Sequence, residues 1–186
     1  MRIAPVACLC LVLICSACHT SHHKSTLPPQ TGKNDPAANV IASVWLSSAS
    51  GSNVRGIVNF IRQADGRVRV YASVSGLTPG KHGFHIHEKG DCSAPDASSA
   101  GGHFNPTGMP HAGPHDAQRH VGDFGNLEAD ASGTAHYSKV FSNLSFEGDN
   151  SVIGRAVIVH AAADDFKTQP TGNAGGRVAC GVIERK

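Results

Sequence analysis

His85 and His87 stand one residue apart in "GFHIHEKGD", Gly83 to Asp91. In a strand successive side chains point to opposite faces, so both imidazoles share one face while Phe84, Ile86 and Glu88 take the other. Two rings on one face can converge on a single point, the arrangement a metal ion needs. The plainer reading is a pair of polar rings at a sheet edge, and residues elsewhere decide between the two. Downstream lie His103, His111 and His120, then Asp123 in "HVGD", and His160 closes the apolar run "AVIVH". Three imidazoles and a carboxylate on a loop suit a closed zinc site. His85, His87 and His160 offer a second set made of imidazoles alone, which suits copper. On spacing alone, a histidine-rich surface loop competes equally with the zinc site.

Strands must carry these groups. In "RVRVYASVSG", Val68, Val70, Ala72 and Val74 fall on one face against Arg67, Arg69, Tyr71 and Ser73, the pattern of a half-buried antiparallel strand. Similar runs are predicted at Ile41 to Ser47, Val54 to Arg62, His82 to Glu88, Asn126 to Ala129, Thr134 to Phe141, Arg155 to His160 and Val178 to Ile183. Ala64-Asp65-Gly66 and Asp130-Ala131-Ser132-Gly133 supply turns between them. Eight strands without an amphipathic helix predict an all-β fold, a sandwich or flattened barrel of antiparallel sheets. Two stretches, Lys89 to Val121 and Ala161 to Gly176, are longer than connections need to be, and such loops are functional or disordered. Gly83, Gly101 and Gly102 are expected to allow close backbone approach.

The 186 residues suit one domain with a single core. A formal net charge of +2 with neutral histidines gives neither a basic stripe for nucleic acid nor a strongly acidic surface. The opening "MRIAPVACLCLVLICSAC" has one Arg, an apolar run and then small residues, the layout of a secretory signal peptide over residues 1–17, too short to span a bilayer. Ile14 to Cys18 also resembles a bacterial lipobox, which would lipidate Cys18 and attach the chain to a membrane; ordinary cleavage after Ala17 is the alternative. Residues 18–38 read as a flexible polar tether, with His19, His22 and His23 in a solvated tail. The domain is expected over 39–186. Once the leader is set aside, Cys92 and Cys180 remain as an even pair, which in an exported, oxidising compartment such as the periplasm or cell envelope reads as a disulfide.

"GFHIH", "GGHFNP", "PHAGPHD", "RHVGDFGN", "AVIVH" and "TGNAGGRVACGV" resemble, in order, the successive motifs of copper/zinc superoxide dismutases, across nearly all of Asn39 to Ile183. The resemblance implies an eight-stranded Greek-key fold with one copper and one zinc per chain. It assigns copper to His85, His87, His103 and His160, and zinc to His103, His111, His120 and Asp123, with His103 as the bridging imidazolate. It implies that superoxide is disproportionated to oxygen and hydrogen peroxide while copper cycles between Cu(II) and Cu(I) and His103 takes and returns a proton. Asp164 matches the family's carboxylate that joins a copper ligand to a zinc ligand, here His85 and His111. Arg177 matches the arginine beside copper that positions the anion, and Lys167 is the one lysine of the second long loop that could steer it. His82, His115 and His136 match no ligand.

The alternative from another class is a copper or zinc binding protein without turnover, such as a store or donor. A copper-only dismutase is the other rival, and the presence of His111, His120 and Asp123 argues against it. Features of both the eukaryotic and the bacterial types are present, so monomer and homodimer both stay open.

Overall fold

A computed structural model describes residues 39–186. The leader, Cys18, the tether and His19, His22 and His23 lie outside the described residues. Nine strands follow in order: β1 (Val40–Ser48), β2 (Arg55–Arg62), β3 (Val68–Ser75), β4 (Gly80–His87), β5 (Asp123–Ala129), β6 (Ala135–Phe141), β7 (Ala156–His160), β8 (Arg177–Val182) and β9 (Glu184–Arg185). One 3-10 turn lies at Ser98–Ala100. All named pairings are antiparallel and run β2-β3-β6-β5-β4-β7-β8-β1, and β1 also pairs with β2, which closes the sheet into an eight-stranded barrel. β9 adds to the edge of β1.

Period-two alternation builds this barrel. Val68, Val70, Ala72 and Val74 of β3 point inward beside Val44 and Leu46 of β1 and Val58 and Phe60 of β2, all within one buried cluster. Aromatic rings fill its centre: Phe84 meets the Tyr137 ring edge-on at 5.2 Å, and Phe124 lies 4.8 Å from Phe141. Truncating a ring such as Phe84 to Ala is expected to cost about 3–5 kcal/mol.

Seven of the eight predicted strands are found within a residue or two of their expected bounds; the exception is β5, which starts at Asp123 rather than Asn126. Asp123 and Asn126 are polar and Gly125 takes φ +87, so alternation is hidden there although the ladder with β4 already runs from His85 opposite Asp123. β9 is two residues long and carries no periodicity. The two long loops occupy the expected stretches, between β4 and β5 and between β7 and β8.

Neighbouring strands β4 and β7 position the site. Phe84 opposes Val159 and Ile86 opposes Val157, all directed into the core. The other face of β4 therefore holds His85 and His87, and both are fully buried because the two long loops cover them. A strand buried on both faces has to spend its polar positions on something that satisfies them.

Candidate metal centre

His85 and His87 reach outward from β4. His160 ends β7 on that same face, at an irregularity in its pairing with β8. His103 lies in the first long loop and is brought alongside by an isolated bridge to His87. One donor nitrogen from each of these four rings lies within 4.8 Å of the others, and all four residues are buried. The remaining nitrogens fix the rings. His85 Nε2 donates to Asp164 Oδ2 at 2.8 Å, His87 Nδ1 to the Gly101 carbonyl at 2.8 Å, and His160 Nδ1 to the Gly175 carbonyl at 3.1 Å. With those protons assigned by their acceptors, His85 Nδ1, His87 Nε2, His103 Nε2 and His160 Nε2 face inward as lone pairs. Gly83 makes the crowding feasible, since a Cβ there would press on the His85 ring, the His160 side chain and Ala174. Burial drives the His87 and His103 pKa values down from the ordinary imidazole range, that of His85 to about 3 and that of His160 to about 4, so these rings are neutral at pH 7.

A second group shares His103. Donor atoms of His103, His111, His120 and Asp123 again lie within 4.8 Å of one another, all buried. Asp123 Oδ1 sits 2.9 Å from His103 Nδ1, 3.0 Å from His111 Nδ1 and 3.3 Å from His120 Nδ1. Its Oδ2 accepts the backbone N–H groups of His120 and Ala112. Burial would raise the Asp123 pKa, but the three imidazoles around the carboxyl, His103 by a hydrogen bond and His111 and His120 at 3.0 and 3.3 Å, outweigh it and hold it well below its usual range. His111 behaves oppositely to the first group. Burial disfavours its charge, yet Asp123 and Asp164, one carboxylate at each ring nitrogen, hold its pKa up to about 9.

Both groups fit cations. His85 Nδ1 and His103 Nε2 are buried and make no hydrogen bond, a cost of about 1–3 kcal/mol each that a bound cation would remove, and His111 Nδ1 meets Asp123 Oδ1 at 3.0 Å outside hydrogen-bond geometry. His87 Nε2 and His160 Nε2 face each other at 3.4 Å although both rings have already donated their other N–H, so two lone pairs meet. Four imidazoles suit copper; three imidazoles and a carboxylate suit zinc. The family model for copper/zinc superoxide dismutase matches residues 54–183. This chain belongs to the copper/zinc superoxide dismutase family. The crystal structure of the clock protein EA4 is similar at 43% sequence identity and a TM-score of 0.70, over 78% of this chain and 94% of that one.

The family's other expected residues are placed as follows. Asp164 is buried and accepts from His85 Nε2 through Oδ2 and from His111 Nε2 through Oδ1, so one carboxylate spans the two groups. Burial pushes the Asp164 carboxyl up, and these two hydrogen bonds hold it below its usual range nonetheless. Arg177 begins β8, and its guanidinium donates to the Ala97 and Gly101 carbonyls. The Gly101 carbonyl thus holds both Arg177 and His87. Cys92 and Cys180 are disulfide-bonded with Cα atoms 5.8 Å apart, which pins the start of the first loop to β8. Lys167 is exposed on the second loop and is not among the donor groups.

Four residues were not singled out by the sequence reading as parts of the site. Asn126 accepts the Asp164 backbone N–H and donates to its carbonyl, at 2.8 and 2.9 Å. Gln169 clamps the His111 backbone in the same two-sided way, with both bonds at 2.8 Å. Gly172, at φ +70, leaves room for Asp164 and His111; any Cβ there would overlap both side chains. His82 is not among the donor groups, but it is buried, and its two ring nitrogens lie 2.8 Å from the carbonyl oxygens of His160 and Thr78. The expectation for Gly102 does not hold: a Cβ there would meet open space, whereas Gly83 and Gly101 are both closely approached.

Proposed function

We propose that the protein disproportionates superoxide, two O2•− and two protons giving O2 and H2O2. The observation that carries this reading is the joining of an all-imidazole group to an imidazole–carboxylate group through one ring, His103. In this reading His85, His87, His103 and His160 hold copper, and His103, His111, His120 and Asp123 hold zinc. When bound, copper would supply the one-electron exchange, as Cu(II) and Cu(I), that oxidises one superoxide and reduces the next. The chain's own groups do the rest. His103 keeps Nδ1 toward the second group while Nε2 is free to hold a proton and give it up to the nascent peroxide. Arg177, tied to the carbonyl that also orients His87, holds a fixed positive charge beside the first group and draws the anion to it. Asp164 keeps the His85 and His111 rings in register, so that neither group can loosen without disturbing the other. Lys167 adds weak long-range attraction from the second loop.

The proposal extends to an exported chain in the cell envelope. The leader-like opening supports it, and so does the Cys92–Cys180 disulfide, which persists in oxidising compartments. Superoxide decay after pulse radiolysis, with copper and zinc counted in the same sample, tests the activity. Decay in proportion to copper is expected; full metal loading with no acceleration would leave a protein that only stores or donates metal.

A further inference from the structure

The wall of the barrel farthest from the donor groups carries an unbalanced charge. Around the closed sheet, β2 and β3 lie opposite β4 and β7, the strands that bear His85, His87 and His160. Arg55 to Ser75 contains Arg55, Arg62, Arg67 and Arg69 against one carboxylate, Asp65, in a chain that is otherwise near neutral. Asp65 is taken up by Arg67 at 2.8 Å. Among the described residues Arg55 and Arg69, both on the outer side of their strands, make no ion pair; Arg62, opposite Val68, lies at the end of the core-facing row. Apolar and aromatic groups share this outer face. Trp45 of β1, opposite Ile57 of β2, is 69% exposed, and Tyr71 of β3 is 38% exposed. A tryptophan left that open on a regular strand costs apolar surface in water, and Trp, Tyr and Arg together are the side chains that settle at a membrane interface. The chain also enters the barrel at this corner, since Val40 pairs with Ile61 and Ile61 with Arg69.

We propose that the outer face of β1, β2 and β3 docks on an anionic phospholipid surface, with Arg55 and Arg69 over the headgroups and Trp45 and Tyr71 entering the interface. The opposite wall, with both donor groups, then faces away from the lipid toward the aqueous side. Each arginine near an anionic surface contributes attraction that fades within a Debye length, so binding is salt-dependent. The inference is independent of lipidation at Cys18 and of the activity proposed above.

Trp45 is the only tryptophan of the chain, so intrinsic fluorescence reads this face alone, whatever the N-terminal segment does. The full chain is mixed with vesicles of phosphatidylcholine and phosphatidylglycerol, about 7:3, and with vesicles of phosphatidylcholine only. Expected are a blue shift of the Trp45 emission on the anionic vesicles alone, reversal by salt, and vesicle affinity lowered about tenfold or more by Arg55→Gln/Arg69→Gln. The charge-matched pair Lys81→Gln/Lys89→Gln should leave affinity unchanged. Equal shifts on both vesicle types, equal loss in the two double variants, or no shift at all would overturn the proposal. So would a dimer by light scattering with no vesicle binding, which would give the face to a second copy, or retention on a soluble acidic polymer only.

Discussion

The two donor groups share His103 and little else. The first takes His85 and His87 from β4 and His160 from β7, adjacent strands whose register is fixed by a buried core. The second takes His103, His111 and His120 from one irregular loop and only Asp123 from a strand. The first is all imidazole, kept neutral by burial; the second contains a carboxylate and, in His111, a ring held protonated by two carboxylates. Strand-borne donors are preset by the fold, whereas loop-borne donors require the ion, or the Asp123 and Asp164 hydrogen bonds standing in for it, to keep them together. In the proposed reaction the first group would hold its geometry through an electron transfer, and the second would order the loop that covers it.

Substitutions in the two groups should therefore fail differently. His160→Ala is expected to lower superoxide decay about 100-fold or more while zinc content stays near one per chain. His120→Ala should instead loosen residues 103–122, seen as faster amide exchange there, with copper still bound by the strand-borne rings. Matching effects of the two substitutions would erase the distinction. The disulfide supports the loop from the first group's side, closing a separation of 88 residues. Replacing Cys92 and Cys180 by Ser is expected to cost at most about 4–5 kcal/mol on chain-entropy grounds, or about 10–15 °C in Tm, with exchange rising near Ala97 and Gly101.

Asp164→Asn strikes the link. An amide cannot accept from both His85 and His111 as the carboxylate does, and zinc affinity is expected to fall about 10–100-fold, with a smaller loss for copper. Metal binding should also separate the groups by pH. The His111 pKa is raised to about 9, so its proton stabilises the metal-free protein below that value and must be displaced by an ion. Zinc affinity is then expected to rise about tenfold per pH unit from 7 to 9 and level off above. Burial lowers His85 to about 3 and His160 to about 4, so their contribution is fully present above the unfolded imidazole range and is lost only as pH falls toward those values. Copper affinity should accordingly be flat from 7 to 9. Competition titrations with a chelator at three pH values would check both slopes. The smallest effect is expected at Lys167→Glu, about a twofold slower reaction at low salt and none at high salt.

The sequence made the barrel legible where alternation was clean, as in β3. It hid the start of β5, where Asp123 and Asn126 serve the site instead of displaying the strand's pattern. The seven donor residues could be read because each sits in a motif whose neighbours shape its own turn or strand. Asn126 and Gln169 could not, because each acts across 38 or more residues on a partner that only the closed barrel brings near, and Gly172 could not because the room it leaves is for His111 of the other long loop as well as for nearby Asp164. His82 escaped for a related reason: its role lies in the backbone carbonyls of Thr78 and His160, and these have no sequence signature.

The most direct test titrates copper into zinc-loaded protein and follows superoxide decay at each addition. Decay should accelerate linearly, stop at one copper per chain, and stay at the uncatalysed rate throughout for His160→Ala. No acceleration at full occupancy, or equal acceleration in His160→Ala, would contradict a redox role for the four-imidazole group.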